Sequence, residues 1–327
     1  MEHDVTTYVS TGRLPPAGRV QALVEEAHRR FAGEAPGEVS RVYPALERVD
    51  PALWGLCVMG VDGQGFSAGD TGHAFTIMSV SKPFVFALVC AAIGPQAVRE
   101  KVGVNATGYA FNSVAGVERS PDGRTNPMVN AGAIATTSLV PGADAAAKWR
   151  FLHEGLSRFA GRRLPMNEEV LASARETNHR NRALASFLRS VGAIYADPME
   201  AVDLYTMQCA LDVTARDLAV MGATLADGGV NPVTGERVVS PADCHHALAV
   251  MTIAGMYETS GDWLFDVGLP GKSGIGGGIV TVAPGKGALG SFAPPLDAAG
   301  NSVRGQAAAR FLSAALGMDI LASAPHG

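Results

Sequence analysis

Lysine is scarce in this 327-residue chain. Of its 26 lysines and arginines, only Lys82, Lys101, Lys148, Lys272 and Lys286 are lysine. Charged residues are 17% and aromatic residues 6%, against 47% hydrophobic, and the net charge is -5. Such a chain can build a sizeable core, as one large domain or two modest ones, and is not composed like a disordered segment. It has no basic stripe and no polybasic run, so neither nucleic acid nor a membrane surface is an expected partner. No apolar run reaches the roughly 18 to 20 residues that span a bilayer. Cysteine is also sparse. Cys57, Cys90, Cys209 and Cys244 show no C-x-x-C spacing, which favours reduced core thiols over disulfides or zinc. His245 and His246 are adjacent and would point apart on a helix, so no metal site is expected there. The start, Met1-Glu2-His3-Asp4, lacks the basic and then apolar regions of a secretory leader, and the cytoplasm is the expected location.

Where so few lysines exist, their positions carry weight. Ser79-Val80-Ser81-Lys82-Pro83 opens an apolar run that ends at Gly94-Pro95 and reads as a buried helix. With Ser79 in the first turn, Lys82 three residues on shares its face, and Pro83 is acceptable so early. A helix N-terminus favours negative charge developing beside the serine. A serine next to a buried, deprotonated lysine is one way to make an acyl-transfer nucleophile. A second scarce lysine opens Lys272-Ser273-Gly274, the K-[ST]-G element that accompanies Ser-x-x-Lys in penicillin-recognising enzymes.

Around these motifs the chain alternates between lobes. Helical spacing over 15–32 (Val20, Leu23, Val24, Ala27, Phe31) precedes a hairpin formed by Leu53 to Met59, a turn at Asp62-Gly63 and Gly65 to Gly69. Residues 95–126, rich in Gly, Asn, Ser and Pro, read as a long ordered loop or a chain of turns, ending in Pro121-Asp122-Gly123 and the following Asn126. Asn126-Pro127 reads as a cap and first helical residue, which puts Asn130 one turn inside a small apolar helix, where its amide needs partners. Helices are expected over 143–160, about 167–191, 198–211 and 214–227. The knot Arg175-Glu176-Thr177-Asn178-His179-Arg180-Asn181-Arg182 reads as a charged, solvated face, and Tyr205 as a satisfied core tyrosine. In the last third β signals return, grouped with Trp263 to Val267, then Ile279 to Val282 and Ala288 to Phe292, before a helix over about 304–317. The glycines around Lys272 let a backbone approach a ligand closely, with the Ile275 N–H free to face it. The expected fold is α+β: an α/β lobe (about 15–95 and 250–318), an all-helical lobe (about 96–249) and a site in the cleft between them, within one catalytic region spanning 1–327.

Taken in order, these stretches resemble the serine-dependent glutaminases. The resemblance is carried by Ser79-Val80-Ser81-Lys82, Phe111-Asn112-Ser113, Asn126 to Ile134, Asn181-Arg182-Ala183-Leu184-Ala185, Asp203-Leu204-Tyr205, Gly255-Met256-Tyr257 and Lys272 to Ile279. It covers about residues 15–318. It implies a serine β-lactamase-like fold, an antiparallel sheet flanked by helices. It also implies hydrolysis of L-glutamine to L-glutamate and ammonia without metal or organic cofactor, and a homo-oligomer, dimer or tetramer. Position by position, Ser79 matches the nucleophile and Lys82 its base. Asn130, Asn181, Tyr205 and Tyr257 match substrate-binding positions, and Ile275 matches one that offers its backbone amide. The implied acyl transfer uses the Ser79 and Ile275 N–H groups as oxyanion donors and Tyr257 as the proton carrier to ammonia. Lys272 would keep the site electropositive and lower the pKa of Lys82 by repulsion.

Two departures stand out. The family places Ser-Glu seven residues before Asn181, the glutamate serving the substrate's α-amino group; here the pair is Ser173-Ala174. Alanine cannot pair with an ammonium, and Glu176, two residues on, would point elsewhere on a helix. Asn105-Ala106-Thr107 stands where the family carries Glu-Pro-Ser. Three functions are therefore expected in descending order: a glutaminase, a serine acyl-transfer hydrolase with a changed amide or ester substrate, and a non-catalytic binding protein.

Overall fold

A computed structural model gives the structure over residues 12–33, 36–120 and 122–324. Met1 to Asp4 and Pro121 lie outside the described residues. Helix α1 (Ala17–Phe31) buries Val20, Val24, Ala27 and Phe31, the stripe its spacing predicts. The hairpin follows, β1 (Gly55–Gly60) and β2 (Gly65–Gly69), with Gly63 at φ 81° in its turn. A short strand β3 (Phe75–Thr76) leads through a 3₁₀ turn at Met78–Val80 into α2 (Ser81–Ile93). Residues Ser81 to Cys90 are buried without a polar face, as expected of a helix enclosed on all sides.

The helical part of the chain comprises α3 (Pro95–Val102), α4 (Ala115–Glu118), α5 (Asn130–Thr137), α6 (Ala145–Ala160), α7 (Glu168–Thr177), α8 (His179–Ser190) and α9 (Pro198–Cys209). After strand β4 (Asp212–Val213) come α10 (Ala215–Ala226), α11 (Pro241–Ala254) and α12 (Ser260–Val267). Strands β5 (Gly271–Ser273), β6 (Gly278–Ala283) and β7 (Gly287–Phe292) precede the final α13 (Val303–Ala315). The main sheet is antiparallel with order β2-β1-β7-β6-β5, so the first hairpin and the last three strands join through β1 and β7.

Along β1, Leu56 and Val58 pack with α1 and α13, while Cys57 and Met59 pack into the core on the opposite face, where α10 lies. Both faces are covered, which is why β1 reads as a continuous apolar run. Helix α10 reaches the sheet from the middle of the chain because glycine lets it. A Cβ on Gly222 would sit 2.6 Å from side-chain atoms of Ala288 and Val280, and one on Gly290 would sit 2.1 Å from Ala215 O. The Thr214–Asp217 capping box fixes where α10 begins, and Asp217 also receives the Arg162 guanidinium. Among the described residues no single helix is long and apolar enough to cross a membrane.

Four expectations change. Residues 95–126 are not loop throughout: Pro95 restarts a helix after Gly94 (φ 89°), and Val98 and Val102 anchor α3 one turn apart. The expected helix over 167–191 breaks at Asn178 (ψ 37°), whose side chain donates to Thr206 Oγ1 at 2.8 Å. Asn126 caps no helix. Its Oδ1 accepts the Met128 N–H (3.0 Å) and its Nδ2 donates to Asn105 O (2.9 Å), closing a turn, so α5 starts at Asn130 itself. Trp263 to Val267 lie within helix α12 rather than with the strands, Trp263 Nε1 donating to Leu269 O at 2.7 Å.

Candidate active site

Ser79 sits in the 3₁₀ turn just before α2 and is almost wholly buried. The turn is held from three sides. Strand β3 pairs with β4, and Ile77 N–H donates to Leu211 O (2.9 Å). Ser81 Oγ donates back to Met78 O (2.8 Å) and accepts from Gln208 Nε2 (3.3 Å). The Lys272-Ser273-Gly274 loop presses on the same backbone, where a Cβ on Gly276 would stand 2.6 Å from Thr76 O and one on Gly274 would stand 3.0 Å from Ile77 O. Met78 and Tyr257 are the two non-glycine residues with positive φ among those described, at 47° and 59°. Strain of this kind persists where the surroundings over-determine it, and both instances fall beside Ser79.

Lys82, on the first turn of α2, is 1% exposed and donates to Asn130 Oδ1 (2.8 Å) and Met128 O (3.1 Å). Burial lowers its pKa from 10.5 to about 7. Asn130 is the junction of the site. Its Oδ1 also accepts from Tyr205 OH (3.2 Å), and its Nδ2 donates to Asn181 Oδ1 (3.0 Å). This answers what the buried amide needs as partners, although Asn130 stands at the start of α5 rather than one turn inside.

Lys272, fully buried on β5, donates to Ser273 O (2.6 Å) and Gly255 O (2.9 Å) and lies 4.1 Å from the centre of the Tyr257 ring. Its pKa is lowered well below the usual lysine value, first by burial and then by the charge of Lys82. Desolvation is the first cause at both lysines, ahead of the repulsion expected between them, and the charge of Lys82 adds to the lowering at Lys272. Tyr257 OH donates to Ser273 O (3.0 Å) and hydrogen-bonds Ser79, and its ring packs against Phe111 with centroids 4.5 Å apart. Burial raises the hydroxyl pKa of both Tyr205 and Tyr257. Among the described residues no hydrogen bond joins Ser79 to Lys82, and neither the Ser79 nor the Ile275 N–H donates to another backbone group.

A cavity of about 110 Å³ opens on Ser79, lined also by Asn130, Asn181, Tyr205, Ile275 and Ala174. Lys82, Lys272 and Tyr257 stand behind this lining. The structure thus brings all eight sequence-selected residues to one place, five on the wall and three behind it. It adds residues that lie outside these motifs. Arg180, assigned to a solvated face, is exposed yet lines the cavity, and Thr206 and Cys209 line it from α9 beside Tyr205. The spacing of 205, 206 and 209 on α9 carries that signal. Asn105-Ala106-Thr107 lines a different cavity, with Arg99, Arg119 and Arg124, and does not touch the one at Ser79.

A family model described as glutaminase matches residues 37–321. "Glutaminase 2" of Yersinia pestis is 65% identical over 322 residues, covering 98% of this chain and 95% of that protein. A glutaminase of Mycobacterium ulcerans is 51% identical over 290 residues, covering 89% and 91%. Among solved structures, the probable glutaminase ybaS superposes with a TM-score of 0.93 at 41% identity, covering 94% of this chain and all of that one. A Bacillus glutaminase superposes with a TM-score of 0.83 at 34% identity. The fold is the serine β-lactamase-like one expected from the motifs. A family match over most of the sequence, near-complete relatives and whole-chain superposition agree, and the chain belongs to the glutaminase family.

Proposed function

We propose that the protein hydrolyses the side-chain amide of L-glutamine to L-glutamate and ammonia through an acyl-enzyme on Ser79. The observation that carries this reading is a serine in a strained, braced turn at the cavity wall, backed by a buried lysine with a pKa of about 7. In the forward step Ser79 Oγ attacks the amide carbon and its proton passes to neutral Lys82. Catalytic hydrogen bonds commonly tighten only when substrate binds, so Lys82 need not touch Ser79 beforehand. The negative oxygen of the tetrahedral intermediate lies between the Ser79 and Ile275 N–H groups, a contact of the kind worth roughly 3 kcal/mol per donor. The C–N bond then breaks and ammonia leaves with a proton delivered by Tyr257, whose hydroxyl already reaches Ser79. Water attacks the ester, its proton returns through the same groups, and glutamate departs. Asn130, Asn181 and Tyr205 hold the substrate and fix the Lys82 amine.

The test is ammonia release from L-glutamine by the purified chain beside Ser79→Ala. Turnover at an ordinary enzymatic rate that falls by roughly 10⁴-fold or more in the variant supports the assignment. Turnover that survives the substitution refutes the nucleophile. A wild-type chain inert toward glutamine and toward acylating probes refutes the enzyme.

A further inference from the structure

The cavity at Ser79 is electrostatically one-sided. Among the described residues that line it, Arg180 is the single charged side chain, and no aspartate or glutamate faces it. Helix α7 supplies one wall through Val170, Ala174 and Thr177, spaced four and three residues apart on one face. Ala174 is the centre of that stripe and is 2% exposed. The acids of α7 are turned away. Glu168, Glu169 and Glu176 are all exposed, and Glu169 pairs with Arg48. Arg180 donates Nε–H to Asn112 O (3.0 Å), which aims its guanidinium, and it has no ion-pair partner among the described residues. The remaining polar groups are uncharged amides and hydroxyls: Asn181 Oδ1 accepts from Asn130, Thr206 Oγ1 accepts from Asn178, and Tyr43, Ser79, Asn112 and Thr177 also belong to the polar lining.

Such a wall recognises an anion well and a cation poorly. A carboxylate entering it meets an unpaired guanidinium able to grip it with two parallel N–H bonds. An ammonium entering it loses water, gains no counter-charge, and feels the same arginine as repulsion. Given the amide hydrolysis proposed above, on which this step rests, we infer that the protein accepts ω-monoamides of five-carbon dicarboxylic acids whose α-carbon bears hydrogen or a keto oxygen at least as readily as L-glutamine. The chemistry is unchanged: the amide C–N bond breaks, ammonia leaves with a proton, and water supplies the new carboxylate oxygen. What changes is the substrate class, because no acidic side chain among the described lining residues selects the ammonium of an amino acid over the α-carbon of its deaminated analogue. The analogue is also a net anion where glutamine is a zwitterion, so its capture depends on Arg180 and is screened by salt.

The experiment compares kcat/KM for L-glutamine, 5-amino-5-oxopentanoate and its 2-oxo derivative, by ammonia release from the full chain, with Ser79→Ala as blank. The expected result is a value for at least one analogue equal to or above that for L-glutamine, with the analogue's value falling several-fold between low and high salt while that of glutamine holds. Ala174→Glu is expected to shift the glutamine-to-analogue ratio by tenfold or more toward glutamine. If that variant does not fold, Arg180→Gln serves instead and is expected to lower kcat/KM for the analogue more than tenfold. Preference for L-glutamine over both analogues by the wild-type chain overturns this inference and leaves the glutaminase reading standing. Failure to release ammonia from any of the three, or release that survives Ser79→Ala, overturns the amidohydrolase reading itself.

Discussion

The base form of Lys82 sets a pH dependence that can be worked out before any assay. At pH 7 a lysine of ordinary pKa is neutral in roughly one molecule in 3,000, whereas a lysine at about 7 is neutral in half of them. Burial at 1% exposure thus supplies about a thousandfold more competent base at neutral pH, which is the chemical use of enclosing an amine among apolar side chains. The sign follows from the role. A base must be deprotonated, so kcat/KM rises with pH, passes its half-point near 7 and levels above about 8. Tyr205 and Tyr257 add no descending limb below pH 9, because burial raises both hydroxyls above their usual value. Lys272 loses its proton more readily than an ordinary lysine, and the Lys82 charge contributes to this, so the observed steps belong to the pair.

The assay is kcat/KM for ammonia release from L-glutamine between pH 5 and 9.5 at constant ionic strength, with circular dichroism confirming the fold at each point. A half-point near 10, or a rate that falls as pH rises from 6 to 8, refutes the assignment of Lys82 as the base.

Three further outcomes follow from the same contacts. Asn130→Ala removes the oxygen that accepts from both Lys82 and Tyr205. That acceptor favours the ammonium, so its loss moves the half-point of the pH profile below that of the wild type and lowers kcat/KM by about 10²-fold; an unmoved half-point would separate Asn130 from the base. Gly276→Ala places a methyl group 2.6 Å from Thr76 O, a backbone atom, and the loop must withdraw and carry the Ile275 N–H with it. A kcat reduced by about 10- to 100-fold with KM little altered is expected in steady-state assays. Lys82→Met abolishes turnover and alters the linkage between folding and protonation. The folded wild type binds fewer protons than the unfolded chain between about pH 7 and 10, so its stability relative to the variant rises by about 1.4 kcal/mol per pH unit in that window and stays flat below it. Denaturant melts at pH 6, 7, 8 and 9 measure this directly, and parallel curves throughout would contradict a buried titrating amine.

Much of the architecture was legible because local rules and the global fold agree. The α1 stripe, the Asp62-Gly63 hairpin, the glycine-bounded helices and the returning strands are periodicity and turn chemistry, which the chain expresses within a few residues. Two of the misreadings come from side-chain bonds that compete with the local pattern. Asn126 looks like a helix cap, but its two amide ends are taken by Met128 N–H and Asn105 O, which hold a turn. Asn178 breaks an otherwise continuous helical pattern as its amide is drawn to Thr206 on α9. Neither bond leaves a mark on periodicity, since each depends on a partner more than twenty residues away or on a competing local turn.

The site itself divides along the same line. Ser79, Lys82 and Lys272 were legible because lysine is rare here and its motifs are short-range, whereas the electrostatic relation between the two lysines was not. Two amines brought close in sequence pattern suggest mutual repulsion. In the fold each is first stripped of water, and each spends its N–H donors on specific carbonyl or amide oxygens. Desolvation depends on what packs around an atom from every direction, here β5, α2, α5 and the loop before it, and no single stretch of sequence holds that information. Arg180 was hidden for the converse reason, because it looked like surface. Ala174 already stands out in the sequence as an alanine that cannot pair with an ammonium, and its place on the same cavity wall as Arg180 joins that missing charge to a present one in deciding which substrates the wall can hold.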